Sequence, residues 1–277
     1  EWGTAVAVQK MVLGNIHLDS GTGVVFTHSP DDPTAGVNLY GDFTLCSQGE
    51  DVVGGLVNVL PISEAQREKS FGADSLSLQK DFPEIYNKLL HYATLMTEKY
   101  GFNHQEIEFT FESSKAEDLY ILQTRDQIIR RAGKSTVFGV NKSEMQLVGS
   151  GIGTGGGAMN GRVAFNLDDI NRLKEKYPNE SIILVRPDTV PDDIDMIFEC
   201  DGLLTGKGGA TSHAAVTAVR LGKTCIVNCL DLQTNEKMKR CRINENKFFS
   251  GDMIAIDGYT GNIYNGNYPV NTNEAEN

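Results

Sequence analysis

Long apolar runs are missing. Nothing in the 277 residues approaches the roughly 20 consecutive apolar residues that cross a bilayer, and no signal-peptide pattern is visible. No membrane segment is expected. Positive charge is also scarce: Lys plus Arg number 25 against 37 Asp plus Glu, a net charge of −12. That balance argues against a nucleic-acid or anionic-membrane partner, so any phosphate site must be a local device of glycine amides and a few placed cations. Cysteine is thin. Cys46, Cys200, Cys225, Cys229 and Cys241 are odd in number and scattered, and they read as reduced thiols in a cytoplasmic protein. The last three lack both a CxxC pair and a neighbouring His, which argues against a zinc cluster there. No internal repeat is present. Gly133-Lys134-Ser135 has the end of a Walker A loop, but Ile128 stands where the spacing needs Gly. Gly151, Gly153 and Gly156 form a G-x-G-x-x-G, yet a strand-like run follows where a dinucleotide site needs a helix.

What is present centres on Gly208-Gly209-Ala210-Thr211-Ser212-His213-Ala214-Ala215. A buried-strand pattern, Gly202–Thr205, precedes it. Ala215, Val216, Ala218, Val219 and Leu221 then space themselves as one helix face, Gly222 stops the helix, and Thr224–Val227 reads as the next strand. Thr211 or Ser212 can cap that helix, leaving His213 in its first turn. Free amides and the positive helix end would favour a phosphoryl group there, with neutral His213 as nucleophile.

The length suits two domains. Residues 4–12, Gly23–Thr27 and Asn38–Phe43 read as strands. Pro83 opens a helix striped by Ile85, Leu89, Ala93, Met96 and Tyr100 and ended by Gly101. In residues 105–112, Ile107, Phe109 and Phe111 alternate with Glu106, Glu108, Thr110 and Glu112; after a turn, Gln123 and Arg125 share one face of the strand 119–125. Acidic residues two apart can hold Mg²⁺, and Gln and Arg can contact nucleotide phosphates. The alternation alone is equally the solvent-facing side of a hairpin. Residues 126–146 read as a connection. Strand 162–165, helix 167–176, strand 181–185, helix 191–200, the His213 unit and late strands at Met253–Ile256 and Asn262–Tyr264 suit a compact β/α sandwich. The polar tail 271–277 reads as disordered.

GGATSHAAVTAVRLGKTCIVNC resembles the phosphohistidine motif of phosphoenolpyruvate-utilising enzymes, with Ala210 where pyruvate phosphate dikinases usually carry Met. EIEFTFE and LYILQTR resemble the hairpin closing the nucleotide site of those dikinases, and the opening EWGTAVAVQKMVLGN, SGTGVVFTHSP, LYGDF and QGEDVVGG follow in the same order. Glu106 and Asp42 stand where that family has Asp and Glu. The resemblance implies an α/β (α+β) chain: part of an ATP-grasp domain (1–128), a linker (129–146) and a β/β/α phosphohistidine swivelling domain (147–277). It implies His213 as phosphoryl carrier, Glu106 and Glu108 facing Mg²⁺, and Gln123 and Arg125 facing ATP phosphates. Gly208, Gly209, Thr211 and Ser212 would form the phosphoryl loop, with Thr211 open to regulation by phosphorylation. Its partners would be ATP and AMP, phosphate and pyrophosphate, and pyruvate and phosphoenolpyruvate through a barrel domain outside this chain. Glu1 in place of Met, and no counterpart here to the first half of an ATP-grasp module, read as a fragment inactive and monomeric alone, from a homodimeric parent. The alternatives are a phosphoenolpyruvate synthase, which usually has Cys at the Ser212 position, a related phosphotransferase, or a non-catalytic relay module.

Overall fold

The computed structural model describes residues 6–30, 34–49, 58–72, 74–127, 135–190 and 193–273. The architecture mixes sheets with a few helices. The first unit is a wholly antiparallel sheet of five described strands in the order β3-β2-β1-β4-β5. These are β1 (Gly21–Phe26), β2 (Tyr40–Leu45), β3 (Leu60–Pro61), β4 (Gln105–Phe111) and β5 (Leu119–Asp126). Alternation assigns its faces. Ile107, Phe109 and Phe111 are fully buried and share a core with Val25 and Phe43. Three helices accompany this sheet: α1 (Glu64–Ser70), α2 (Leu78–Asp81) and α3 (Pro83–Thr94). Pro83 sits in the first turn of α3, where a missing N–H costs nothing, and Ile85, Leu89 and Ala93 bury completely in that core. After Thr94 the coil widens to a π turn over Leu95–Lys99, which rotates the stripe outward and leaves Tyr100 61% exposed.

The second unit has three layers. Its central sheet orders eight described strands as β7-β17-β16-β9-β10-β11-β12-β8. Parallel β9 (Ala158–Ala164), β10 (Ile182–Arg186), β11 (Gly202–Thr205) and β12 (Thr224–Val227) form its middle. Helices α4 (Leu167–Lys176), α5 (Ile194–Glu199) and α6 (His213–Arg220) connect them in turn. Antiparallel β7 (Gln146–Ser150), β16 (Met253–Asp257) and β17 (Asn262–Asn265) extend one side and β8 (Ile152–Gly155) the other. Adjacent residues of β10 go opposite ways: Ile182 and Leu184 join the helices, while Ile183 and Val185 join Leu232, Cys241, Ile243 and Phe248. Those four belong to a small sheet of β13 (Leu232–Asn235), β14 (Arg240–Ile243) and β15 (Asn246–Phe249), the outer layer.

Several expectations change. Residues 6–12 are not a strand; Val6, Val8 and Met11 are 82%, 96% and 79% exposed, and β-branched side chains without a paired neighbour do not make a sheet. Part of the expected linker is strand β6 (Ser135–Phe138), paired with β18 (Val270–Asn273), so the tail is ordered up to Asn273. The start of the connection, 128–134, lies outside the described residues, as do Asp192 and 274–277. The glycine run 149–157 serves backbone packing. A Cβ on Gly153 would lie 2.5 Å from the Gly258 carbonyl oxygen, and one on Gly156, at φ +98°, would lie 2.2 Å from the Thr224 Cα. All five cysteines are free thiols, and burial pushes Cys200 and Cys229 up to about 11 and Cys241 to about 12.

Candidate functional site

The loop from β11 into α6 follows its glycines. Gly208 adopts φ +92°, a left-handed turn that a side chain would strain, and the Ser212 amide closes back onto the Gly209 carbonyl at 3.1 Å. Ser212 is the helix cap: its hydroxyl accepts from the Ala215 amide at 3.4 Å. Thr211 is not the cap. Its amide and its hydroxyl both donate to Asp42 Oδ2 on β2, at 2.7 and 2.9 Å. The Thr211, Ser212 and Ala215 amides are therefore already occupied rather than free for a phosphoryl group. His213 and Ala214 open α6, where first-turn amides have no intrahelical acceptor. Gly222, at φ +70°, ends the helix as its position predicts.

The candidate nucleotide residues gather on the polar face of the five-stranded sheet. Across β4 and β5, Glu106 pairs with Arg125 and Glu108 with Gln123. The Arg125 guanidinium donates to Glu106 Oε1 and lies 3.9 Å from Glu108 Oε1. The bond to Glu106 raises the Arg125 pKa against the opposing effect of burial, so the cation is held firmly. Glu106 is 3% exposed, whereas the Glu108 side chain keeps 34% of its surface open. The two rows extend across the sheet in register. Gln123, Glu108, Val24 and Asp42 form one row; Arg125, Glu106, Phe26 and Tyr40 form the next.

Those rows bring the two sequence motifs together. Asp42 and Glu108 lie two strands apart, about 10 Å at ordinary strand spacing. Phe26 and Tyr40 share an apolar cluster with Ala210, Ala214 and Ala215. The sheet face carrying Glu106, Glu108, Gln123 and Arg125 is thus also the face on which the His213 loop rests. Asp42 itself is fully buried, and burial raises its pKa to about 6 against the lowering effects of the Thr211 amide, the Thr211 hydroxyl and the Ala210 amide. Among the described residues its Oδ1 has no hydrogen-bond partner. The contact with Thr211 spans 169 residues, beyond any local pattern. The available signal was an acid inside the otherwise uncharged strand Tyr40-Gly-Asp-Phe-Thr-Leu45.

Mg²⁺ fits this face through its donor chemistry. Among the described residues no three His, Cys, Asp or Glu converge as a protein-only metal cage. Mg²⁺ instead takes one or two carboxylates with substrate phosphates, which Glu108 and, on release from Arg125, Glu106 can supply. No helix among the described residues is long and apolar enough to cross a membrane.

Residues 178–261 match the mobile domain of PEP-utilising enzymes. Over 99% of its length the chain is 34% identical to pyruvate, phosphate dikinase of Clostridium symbiosum. Identity is 33% to the dikinase of Entamoeba histolytica and 32% to pyruvate, phosphate dikinase 2 of Zea mays, each over 97% of the chain. The chain spans 32%, 31% and 32% of those relatives' lengths. On these matches, residues 178–261, which include the His213 loop, are a mobile domain of the phosphoenolpyruvate-utilising enzyme family.

Proposed function

We propose that this chain is the nucleotide and carrier portion of a pyruvate phosphate dikinase-type phosphotransferase. Residues 1–128 would be the later part of an ATP-grasp domain and residues 147–277 the swivelling domain, with a connection that includes β6. The observation that carries the reading is the seating of the His213 loop on the sheet face that holds Glu106, Glu108, Gln123 and Arg125. A phosphoryl carrier must reach a nucleotide site, and this arrangement supports that visit.

AMP is the nucleotide product of such a reaction, so the bond that breaks is the one between the β phosphorus and the oxygen that bridges it to the α phosphorus. The imidazole lone pair of His213 forms an N–P bond to the β phosphorus as the bridging oxygen leaves with AMP. Inorganic phosphate then takes the terminal phosphoryl as pyrophosphate, and the enolate oxygen of pyruvate, bound on a separate domain, takes the one remaining. Splitting the transfer over a covalent carrier gives each half its own dry site. Arg125 and Gln123 would bind phosphate oxygens, and the amides opening α6 would stabilise the anion on the carrier. Mg²⁺, when bound by Glu108 and Glu106, would neutralise phosphate charge.

The division of labour is testable in the complete protein. Glu108→Ala should abolish labelling of His213 from ATP while labelling from phosphoenolpyruvate continues. Equal loss from both donors in a folded variant would overturn it.

A further inference from the structure

The small sheet β13–β15 closes a core with one face and turns the other to solvent. Its register lays the outward residues in two rows across the three strands: Gln233, Arg242 and Lys247 in one, Asn235, Arg240 and Phe249 in the next. All six are exposed. At ordinary sheet spacing the backbones of Arg242 and Lys247 lie about 5 Å apart, and those of Arg240 and Arg242 about 7 Å. Three cations thus crowd one face of a chain whose net charge is −12, and neither row holds a carboxylate. Among the described residues none of the three forms a salt bridge, whether with Glu245 in the adjoining turn or with another acid. Like charges held this close repel, and a bound anion would relieve the repulsion.

The face is also shaped for a ligand. A hollow of about 420 Å³ lies over β13 and β14, lined by both arginines, Lys247, Gln233 and Asn235. That volume is in the range of small-molecule sites. Both side-chain amides use their oxygens inside the protein: Gln233 Oε1 accepts from Arg242 Nη2 at 2.9 Å, and Asn235 Oδ1 from the Met238 amide at 3.0 Å. What the two amides leave for a ligand is N–H, and Arg242 keeps the rest of its fork of donors. The hollow is separate from the phosphoryl loop. Ala214 and Ala215 of α6 pack with Ile182 and Leu184 on one face of the central sheet, while β13–β15 pack with Ile183 and Val185 on the other.

We propose that the outer face of β13–β15 is a binding site for a diphosphate group, free or carried by a nucleoside, distinct from the site at His213. Two guanidinium forks and one ammonium match a compact anion of several charges, whose oxygens accept paired N–H bonds. The amide groups of Gln233 and Asn235 would complete the shell. A nucleoside would add one contact, its base lying on Phe249, which is 50% exposed beside Arg240. The proposal stands whether or not His213 carries a phosphoryl group.

The test follows backbone hydrogen exchange of residues 232–249 in the complete protein, free of divalent cations, with sodium pyrophosphate and ADP as probes. Pyrophosphate should slow exchange there with a Kd below about 1 mM, the weak end of enzyme–metabolite affinities, and added salt should weaken the effect. Arg240→Gln and Arg242→Gln, both at exposed positions, should each weaken binding about tenfold, the effect of losing one charge-assisted contact. Arg242→Lys should weaken it by less. An ADP effect stronger than that of pyrophosphate, and reduced to it by Phe249→Ala, identifies a nucleotide as the ligand; an ADP effect no stronger identifies the free diphosphate. Unchanged exchange at residues 232–249, equal slowing by sodium chloride at matched ionic strength, or full slowing in the Arg240→Gln/Arg242→Gln double variant would each overturn the site. Slowing by oligoglutamate but not by pyrophosphate would overturn it in favour of a protein-docking face.

Discussion

Replacing Gly209 with Ala probes the seating of the loop without touching either hydrogen-bonding residue. The added Cβ would stand 2.3 Å from Asp42 Oδ2, 2.5 Å from its Cγ and 2.9 Å from Oδ1. Ordinary carbon–oxygen contact needs about 1 Å more, and the buried carboxyl has no open side to swing into. The loop must therefore withdraw by about 1 Å, which takes the 2.7 and 2.9 Å bonds from Thr211 past hydrogen-bonding range. Losing two bonds to an ionised acceptor costs about 3 kcal/mol, or about 100-fold in the seated population. Amide hydrogen exchange reads this directly. The Thr211 amide should exchange about 100-fold faster in Gly209→Ala, while the buried strands β10 and β11 keep their protection. Gly36→Ala is the control, because a Cβ there meets nothing within 4 Å. An unchanged Thr211 amide in Gly209→Ala would refute the seating geometry.

Two further predictions concern the same contact. Thr211 is 6% exposed with its hydroxyl against Asp42, so phosphorylation or Thr211→Glu would set like charges face to face; Thr211→Glu should block phosphoryl transfer with the fold intact, and Thr211→Ser should retain it. Normal turnover of the Glu variant would show that charge at this position is no switch. Because burial raises the Asp42 pKa from 3.8 to about 6, the seated state binds more protons than the released one between those values. Seating should be strongest below the released pKa, weaken by about 3 kcal/mol as pH rises through about 6, and level off above it. Thr211 amide protection, corrected for intrinsic exchange, should follow that curve in the wild type and lose it in Asp42→Asn; protection that rises with pH would contradict it.

Legibility in the sequence depended on how local the governing physics was. The β4–β5 hairpin was readable because period-two alternation places Ile107, Phe109 and Phe111 in the core and Glu106 and Glu108 opposite. The His213 unit was readable because strand, glycine turn, cap and helix follow one another within a few residues. The hairpins β13–β15 were missed. Their strands are four residues each, and the turn between β14 and β15 is marked by Asn244 at φ +51° rather than by Gly or Pro. The packing role of the glycine run at 149–157 was not legible, because its partners are the backbone at Gly258 and Thr224, far along the chain. Thr211 was divided between cap and regulatory site, although Ser212 takes the cap. The role left to Thr211 depends on Asp42 in the other unit, and no window of sequence contains both.

His213 is the proposed carrier of the phosphoryl group, and labelling tests that most directly. The complete protein is incubated with phosphoenolpyruvate labelled in its phosphoryl group, and the adduct is tested for stability in acid and in alkali. An acid-labile, alkali-stable adduct should form on the wild type and vanish in His213→Asn. An adduct of unchanged yield in His213→Asn would contradict the account.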